Sequence, residues 1–278
     1  MKKVSRNENK KIVIGLLDYF DAICRKNNIE YSLAGGTLLG AVRHGGFIPW
    51  DDDGDVIVTR DNYEKLKKVF YQAKNDEFGF MSEEDEGYYY VFSKLYDRRT
   101  VLETLTPQDA EIKDLGVYID IFPIDLLPDP SKKSEIKTFY TRLMDINTSM
   151  FMTIPGFYYF NNNPLKRIIK RFIYYPRYLR RARGEKNPKV WQKYLLSELK
   201  KYDSSEECGA GFILSEYSVK ECIPKKAFEQ YMDIKFEDRK FRSIKDNKIY
   251  LESLYGDYMK LPPKDKRKPK HAYISYWK

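Results

Sequence analysis

The sequence predicts an α+β fold: a mixed β-sheet with flanking helices, followed by a mostly helical C-terminal part. Strand-like runs alternate with helical patterns up to about residue 128, and helical patterns dominate after Pro128 and Pro130. We therefore divide the chain into a sheet domain at 1–128, a helical region at 129–233 and a C-terminal segment at 234–278. We expect the last segment to pack back on the sheet domain.

The individual elements follow from hydrophobic periodicity and from residues typical of helix starts. Val13, Leu16, Leu17 and Phe20 recur at helical spacing, and Asp61 is a candidate N-cap for a later helix. Short mixed elements are expected near the C-terminus. The predicted strands lie at 29–35, 53–59, 88–97 and 116–125, and the predicted helices lie at 10–27, 37–44, 61–74, 131–150, 164–182 and 188–202.

Composition favours an intracellular protein with anionic partners. Lys and Arg number 50 against 41 Asp and Glu, and the resulting net charge of +9 suits nucleotides, nucleic acid, phosphorylated polymers or a phospholipid surface. Three cysteines without CxxC spacing and two histidines argue against a disulfide framework or a zinc site. No apolar run reaches the roughly 18 residues of a spanning helix. We expect a cytoplasmic location, with a peripheral position at the inner face of the cell membrane as one option.

Four acids crowd in front of an apolar Val-Ile-Val run: Asp51, Asp52, Asp53 and Asp55. If the strand begins early enough, alternation places Asp51, Asp53 and Asp55 on one face and Asp52 on the other. Facing carboxylates repel one another unless a divalent cation relieves the repulsion, and oxygen ligands suit Mg²⁺ or Mn²⁺. The alternative interpretation is a solvated acidic turn.

A Gly35-Gly36 pair precedes the predicted short helix that opens at Thr37. Backbone N–H groups at a helix N-terminus favour phosphate. A phosphate-binding turn beside an Asp-x-Asp pair is the layout of a phosphoryl-transfer site.

A metal site of this type usually needs one more carboxylate from a neighbouring strand. Asp120 interrupts an otherwise apolar run, and a lone buried acid is costly unless it is paired or bound to a metal. Asp125 is the other candidate, but it follows Pro123, where we expect the strand to end, so a turn or cap role is its simpler interpretation. We favour Asp120.

Three basic residues are candidates for contacts with a substrate phosphate. Lys94 lies within a predicted strand, where it either faces solvent or meets a phosphate on the metal face. Arg43 and His44 either bind phosphate as well or pair with the acids, and the sequence does not separate these roles.

The sequence resembles the LicD family of phosphotransferases. The segment EYSLAGGTLLGAVRHGGFIPWDDDGDVIV resembles the family signature, YIDIFPID its third-carboxylate strand, and KFEDRKF with YLESLYGDYMKLPPKDKR, ending near His271, its C-terminal segment. The resemblance spans about 10–128 and 234–271. It implies a nucleotidyltransferase-like catalytic domain at 1–128. One departure is Gly54, where the family more often has an apolar residue.

The resemblance also implies roles for individual residues. Asp53 and Asp55 match the metal-binding pair, Asp51 an acid often present before it, and Asp120 the third carboxylate. Gly35, Gly36 and Thr37 match the turn that holds phosphate. The implied reaction transfers a phospho-alcohol from a CDP-activated donor, with CDP-choline favoured over CDP-ribitol or CDP-glycerol, to a hydroxyl of a cell-surface glycan or a teichoic acid precursor. Aromatic faces would recognise choline, and Tyr88-Tyr89-Tyr90 is one candidate cluster.

The segment 164–183 predicts a basic amphipathic helix, with Pro176 breaking or kinking it. Such a helix can lie on an anionic membrane, although an ordinary helix packed on the core is the alternative. Three rival functions remain: a nucleotidyltransferase that releases pyrophosphate, a DxD-dependent glycosyltransferase, and a basic membrane or nucleic-acid binding module. We do not expect nucleic acid as a partner, because an acid cluster repels phosphate unless a cation intervenes.

Overall fold

The computed structural model describes residues 1–103, 112, 114–154, 168–169, 172, 176, 184–202, 208–268 and 273–278. The fold is α+β, as the sequence predicts. The helices are α1 (Arg6–Lys26), α2 (Gly35–His44), α3 (Arg60–Gln72), α4 (Lys133–Thr153), α5 (Pro188–Leu199) and α6 (Asn247–Tyr255). The strands are β1 (Ser32–Leu33), β2 (Asp55–Thr59), β3 (Phe78–Met81), β4 (Ser93–Asp97), β5 (Thr100–Glu103), β6 (Tyr118–Leu127), β7 (Gly209–Gly211), β8 (Ile223–Pro224), β9 (Tyr231–Phe236), β10 (Arg239–Ile244) and β11 (Ile274–Trp277).

A seven-stranded mixed sheet organises the molecule. Its main path runs β1-β2-β6-β4-β3, and β7 and β8 extend it from the second half of β6. Strands β2 and β6 are parallel, whereas β4 is antiparallel to β6. Two antiparallel pairs, β9 with β10 and β5 with β11, lie outside this sheet.

Helix α1 covers the sheet with the apolar stripe that its sequence predicts. Val13, Leu16, Leu17 and Phe20 are all buried, and the helix packs on β4 and β6. Ser5 starts the helix with a capping box: its hydroxyl accepts the N–H of Glu8, whose carboxylate accepts the N–H of Ser5. Burial of this stripe therefore supports the sheet from behind the strands that carry the acids.

The C-terminal segment packs on the first part of the chain. Glu237, between β9 and β10, accepts the N–H of Phe47 at 2.9 Å and donates its own N–H to Gly45 at 2.7 Å. At the other end, β11 pairs with β5, and Trp277 donates to the carbonyl of Lys2. The two Glu237 contacts hold the loop that follows α2. The domain boundaries at 128 and 233 stay a prediction.

Several predicted element limits are wrong. Helix α3 begins at Arg60, so Thr59 and not Asp61 occupies its N-cap position. Strand β2 begins only at Asp55, whereas β6 continues past Pro123 to Leu127. Proline is tolerated there because it removes only its own N–H from the ladder, and the strand gains a new partner in β7 from Asp125 onward.

The basic segment 164–183 lies almost entirely outside the described residues. Ile168, Ile169, Phe172 and Pro176 are described, and their side chains are exposed. Within the described part of the chain, no helix combines the length and apolarity needed to span a bilayer.

Candidate active site

Acids from two neighbouring strands lie side by side on the central sheet. In the parallel pair of β2 and β6, Asp55 is the register partner of Asp120. In the antiparallel pair of β4 and β6, Lys94 is the register partner of the same Asp120. Residues at matching positions of adjacent strands share a face. Asp55 on β2 and Asp120 on β6 therefore lie side by side and are called the acid row here, and Lys94 on β4 flanks Asp120.

Lys94 is buried against Asp120. Its ammonium lies 2.6 Å from Oδ1 of Asp120, and the residue is only 2% exposed. The same ammonium lies 3.5 Å from the ring centroid of Tyr118 and 5.0 Å from that of Tyr90. The solvent-facing interpretation of Lys94 is wrong, because the residue is buried. The carboxylate of Asp120 and the aromatic faces stabilise the buried ammonium. Its contact with a substrate phosphate stays a prediction.

Three of the four clustered acids reach one cavity. Asp51, Asp53 and Asp55 line it together with Asp120, whereas Asp52 is not among its lining residues. The backbone carbonyl of Asp52 accepts a hydrogen bond from the Asn9 side chain at 2.7 Å. The segment before Asp55 is not a strand. Asp51, Asp53 and Asp55 still share one side, as predicted, but Asp51 and Asp53 do so from the irregular chain that leads into β2.

The glycine pair lets the N-terminus of α2 approach the acids. Gly35 has a φ of +48°, a value that L side chains rarely adopt, and its N–H points at the Tyr250 hydroxyl at 3.3 Å. A methyl group on Gly36 would lie 2.8 Å from Oδ2 of Asp51, and one on Gly35 would lie 3.4 Å from Oδ2 of Asp55. Helix α2 begins at Gly35, two residues earlier than predicted, so the first turn of the helix, with Gly35 and Gly36, borders the cavity.

Thr37 holds the backbone of Asp55 in the acid row. It is buried, and its hydroxyl accepts the backbone N–H of Asp55 at 2.9 Å. The side chain therefore fixes the first residue of β2, and it does not line the cavity. A phosphate contact of Thr37 can come only from its backbone N–H.

Arg43 and His44 lie in different surroundings. Arg43 lines the cavity and donates to the carbonyls of Tyr258 at 2.7 Å and Lys260 at 3.5 Å. His44 accepts from Arg43 Nε at 3.3 Å, packs against Trp50 and is not among the lining residues. Burial, and then the charge of Arg43, lowers the pKa of His44. Arg43 is thus positioned to contact a ligand, whereas His44 contacts Arg43 and does not line the cavity.

Gly54 is required by packing. A Cβ there would lie 2.7 Å from Ile119 and 2.8 Å from Val13. Its carbonyl accepts the N–H of Asp120 at 2.9 Å, which ties the segment before β2 to β6. The departure from the family pattern therefore brings the two acid-bearing strands together.

Asp125 is part of a closed ion pair and does not line the cavity. Arg60 donates to both of its carboxylate oxygens at 2.7 Å. Asp125 lies within β6, so the turn or cap interpretation is wrong. Burial raises the pKa of Asp125, and the charge of Arg60 opposes that shift.

The cavity has a volume of about 1030 Å³ and contains residues that the sequence reasoning did not single out. Phe122 stacks on Phe212 with ring centroids 4.7 Å apart, and Phe92 packs against these two rings at larger angles, 4.8 and 5.7 Å away. The remaining unforeseen lining residues include Trp50, Glu221, Tyr217, Tyr250 and Tyr255. Tyr250 and Tyr255 belong to the YLESLYGDY motif, which offered a signal, whereas Glu221 had none. Tyr88, Tyr89 and Tyr90 are not among the lining residues.

The donor set of this cavity fits a hard divalent cation. Carboxylates from the chain before β2, from β2 and from β6 meet there, and Oδ2 of Asp51 and Oδ2 of Asp55 both lie against the glycine turn. Oxygen ligands of this kind suit Mg²⁺ or Mn²⁺, which usually share their coordination with waters and substrate phosphates.

The fold and the cavity together define an α+β protein with an acid-lined pocket beside a helix N-terminus. Known proteins identify the family. Residues 28–149 match the family described as LicD/FKTN/FKRP, nucleotidyltransferase domain. The chain is 32% identical over 292 aligned positions to the lipopolysaccharide cholinephosphotransferase LicD of Haemophilus influenzae, and the alignment covers 99% of each chain. The chain belongs to the LicD family of phosphotransferases, which confirms the resemblance seen in the sequence.

More distant relatives share only a part of the chain. Ribitol 5-phosphate transferase FKRP is 39% identical over 79 residues in both mouse and human, which is 27% of this chain and 15% and 14% of those proteins. The relatives therefore include transferases of two different phospho-alcohols.

Proposed function

We propose that the protein transfers phosphocholine from CDP-choline to a hydroxyl group of a cell-surface glycan or of a teichoic acid precursor. The observation that carries this proposal is the register of Asp55 and Asp120 on parallel strands, both lining the cavity that the glycine turn of α2 borders. The full-length likeness to a lipopolysaccharide cholinephosphotransferase supports the choice of phosphocholine.

In this proposal Asp53, Asp55 and Asp120 hold a Mg²⁺ or Mn²⁺ ion, with Asp51 as a further ligand. When bound, the ion supplies positive charge to the donor's diphosphate. The backbone N–H groups at the start of α2 bind phosphate oxygens, and Arg43 adds positive charge at the cavity wall. Lys94 holds the carboxylate of Asp120 in place and compensates part of its charge.

The chemical step is a displacement at phosphorus. The acceptor hydroxyl attacks the phosphorus atom of the phosphocholine group, and the bond to the CMP oxygen breaks. Asp120 takes the proton of the attacking hydroxyl, and CMP leaves. Asp120 is the group proposed for this role because it lies in the acid row and opens to the cavity.

The experiment follows CMP release by the purified full chain with CDP-choline, CDP-ethanolamine, CDP-glycerol and CDP-ribitol, each with lipopolysaccharide or teichoic acid as acceptor. We expect CMP release with CDP-choline, and we expect EDTA to abolish it. Pyrophosphate release from CTP instead would indicate a nucleotidyltransferase and would overturn the proposal. Preference for CDP-ribitol or CDP-glycerol would keep the reaction type and change the alcohol.

Variants of the acid cluster test the assigned roles. Asp53→Asn and Asp55→Asn are expected to lower turnover by about 10³-fold or more, because charge stabilisation at the diphosphate is lost. Asp52→Asn is the matched control: the same change in an adjacent acid that does not line the cavity should leave turnover within about threefold of the wild-type value. Circular dichroism checks that all three variants fold.

We further propose that segment 164–183 contacts an anionic membrane at the cytoplasmic face, near a lipid-linked acceptor. The support is its charge pattern and the exposure of Ile168, Ile169 and Phe172. Flotation with vesicles that contain phosphatidylglycerol, compared with neutral vesicles, tests this. Equal recovery from both vesicle types would contradict it.

A further inference from the structure

The two ends of the cavity differ in chemistry, and the acid row lies between them. Trp50, Asp51 and Asp53 lie on the chain that leads into β2, whereas Ile57 and Phe122 follow Asp55 and Asp120 along the parallel strands. Trp50 therefore lies at one end of the cavity, and Ile57 and Phe122 lie toward the other end, with the acids between them.

The end at Trp50 is basic. The Arg267 guanidinium lies 5.6 Å from the Trp50 ring, and Arg43 binds the carbonyls of the segment that begins at Tyr258. That segment adds Lys260, Lys266 and Lys268 to the cavity lining. An aromatic ring among cations suits an anionic nucleotide.

The other end is aromatic and contains no Lys or Arg among the described lining residues. Phe122 and Phe212 stack with ring centroids 4.7 Å apart, at an angle of 22°. On the α6 side, the Tyr217 and Tyr255 hydroxyls lie 2.8 Å apart, and their rings meet edge to face. This end therefore presents π faces, which attract cations and in particular alkylated ammonium groups.

A single buried acid stands at the aromatic end. Glu221 lines the cavity but is only 3% exposed, and its backbone packs against Gly211, the neighbour of Phe212. Its Oε2 is buried and makes no hydrogen bond within the described residues. A buried carboxylate oxygen without a partner is costly, so its presence beside aromatic faces calls for a cationic ligand. Burial raises the pKa of Glu221 to about 8, although hydrogen bonds with Ser215 and Tyr250 oppose that shift.

We infer that Glu221, with the faces of Tyr217 and Phe212, forms the site for the cationic head of the transferred alcohol. The site selects an ammonium-bearing alcohol over neutral polyols, and its aromatic faces favour trimethylammonium over a primary ammonium. This inference rests on the proposed function, since it names the alcohol that the same active site accepts.

The experiment compares CDP-choline with its neutral isostere, the CDP ester of 3,3-dimethylbutanol, which replaces the nitrogen by carbon at nearly equal size. Calorimetry measures binding, independently of turnover. The wild-type protein should bind CDP-choline at least about tenfold more tightly than the isostere. Glu221→Gln should reduce that preference to about threefold or less while leaving affinity for the isostere unchanged. CDP-ethanolamine should fall between the two ligands.

Two control pairs separate the site from general damage. Glu229→Gln makes the same charge change at an exposed position eight residues further along and should retain the full preference. Tyr217→Phe keeps the aromatic face and should retain it too, whereas Tyr217→Leu should lose most of it. The tyrosine pair keeps the inference testable if Glu221→Gln does not fold.

The outcomes distinguish this inference from the proposed function. Equal wild-type binding of CDP-choline and the isostere would overturn the cation site, whatever the turnover assays show. A preference retained in Glu221→Gln would overturn the role of Glu221. If CDP-choline is preferred in binding but CMP is released only from CDP-ribitol or CDP-glycerol, the proposed phosphocholine transfer fails while the cation site stands.

Discussion

Strand β6 carries two acids, five residues apart, that the fold uses in opposite ways. An odd spacing places Asp120 and Asp125 on opposite faces of the sheet. Arg60 binds both oxygens of Asp125, whose side chain is 3% exposed. Lys94 binds Oδ1 of Asp120, whose side chain is 19% exposed and lines the cavity.

The type of cation separates the structural acid from the proposed catalytic one. A guanidinium fork occupies both carboxylate oxygens at once, so the pair with Asp125 is closed to any ligand. An ammonium is a point charge, and here it contacts Oδ1 of Asp120 at the edge of a cavity. Two acids on one strand that look alike in sequence thus have different roles because their partners lie on different elements.

The largest expected effect is the loss of turnover when Asp120, the acid that lines the cavity, is changed. Asp120→Asn should lower CMP release by about 10³-fold, because a proposed ion ligand and the proposed proton acceptor are both lost. The amide can still accept from Lys94, so we expect a smaller loss of unfolding free energy than at Asp125. Turnover above about a tenth of the wild-type rate would contradict the assignment of Asp120.

A change at Asp125, in the closed ion pair, should lower the stability of the fold and leave turnover unchanged. Asp125→Asn leaves the buried Arg60 with only Glu64, 3.7 Å away, as a counter-charge, and the expected loss is about 3 kcal/mol of unfolding free energy. Urea denaturation measures the loss, and turnover per folded molecule should stay near the wild-type value. The double change Arg60→Met with Asp125→Leu should recover most of the stability, because removing both charges avoids the unpaired ion. If the double variant is no better than the single one, the ion pair is not the cause.

A third acid, Glu221, gives a pH test of the cavity. Its pKa is raised by burial from 4.5 to about 8 in the fold, so the folded state favours the protonated form. The resulting stabilisation is complete below about pH 4.5 and is lost as the pH rises through about 8. The neighbouring Tyr250 and Tyr255 have pKa values raised by burial and stay neutral in this window.

Wild-type stability should therefore decline by a few kcal/mol relative to Glu221→Gln between pH 5 and pH 8.5, following about 1.4 kcal/mol per pKa unit. Chemical denaturation of both proteins across this range measures the difference. Parallel pH profiles would show that Glu221 is ionised in the fold already at low pH.

Sequence reasoning located the acid row because it rests on local rules. Alternation, the glycine turn and a lone acid in an apolar run pointed to Asp55 and Asp120, and the family resemblance gave the same pair. The sheet register then placed the two residues as direct neighbours. Lys94 was ambiguous, because strand periodicity gives a face but does not say what covers that face.

The rest of the cavity depends on contacts between distant parts of the chain. Glu221 precedes a two-residue strand, and nothing in its neighbourhood distinguishes it from a surface acid until β8 docks on β7. Arg60 and Asp125 lie 65 residues apart, so their pairing was not readable from either segment. The predicted end of β6 was wrong for a related reason. The strand continues beyond Pro123 because β7, which is distant in sequence, pairs with it there.

The smallest effect tests how closely the glycine turn approaches the acids. In Gly36→Ala the added methyl group would lie 2.8 Å from Oδ2 of Asp51, the end of a side chain that can move. The carboxylate should shift while the fold is retained. We expect turnover to fall by about tenfold, since small displacements of positioned groups are costly in catalysis.

Gly15→Ala is the matched control, because a methyl group there meets nothing within 4 Å in the middle of α1. It should be neutral or should stabilise the protein by about 0.5 to 1 kcal/mol, with turnover unchanged. The double variant Gly36→Ala with Asp51→Asn decides the cause. If displacement of Asp51 accounts for the loss, Gly36→Ala should add little to Asp51→Asn, because both changes remove the same ligand. Full additivity would show that the methyl group blocks the phosphate position at the start of α2, and that Asp51 contributes separately.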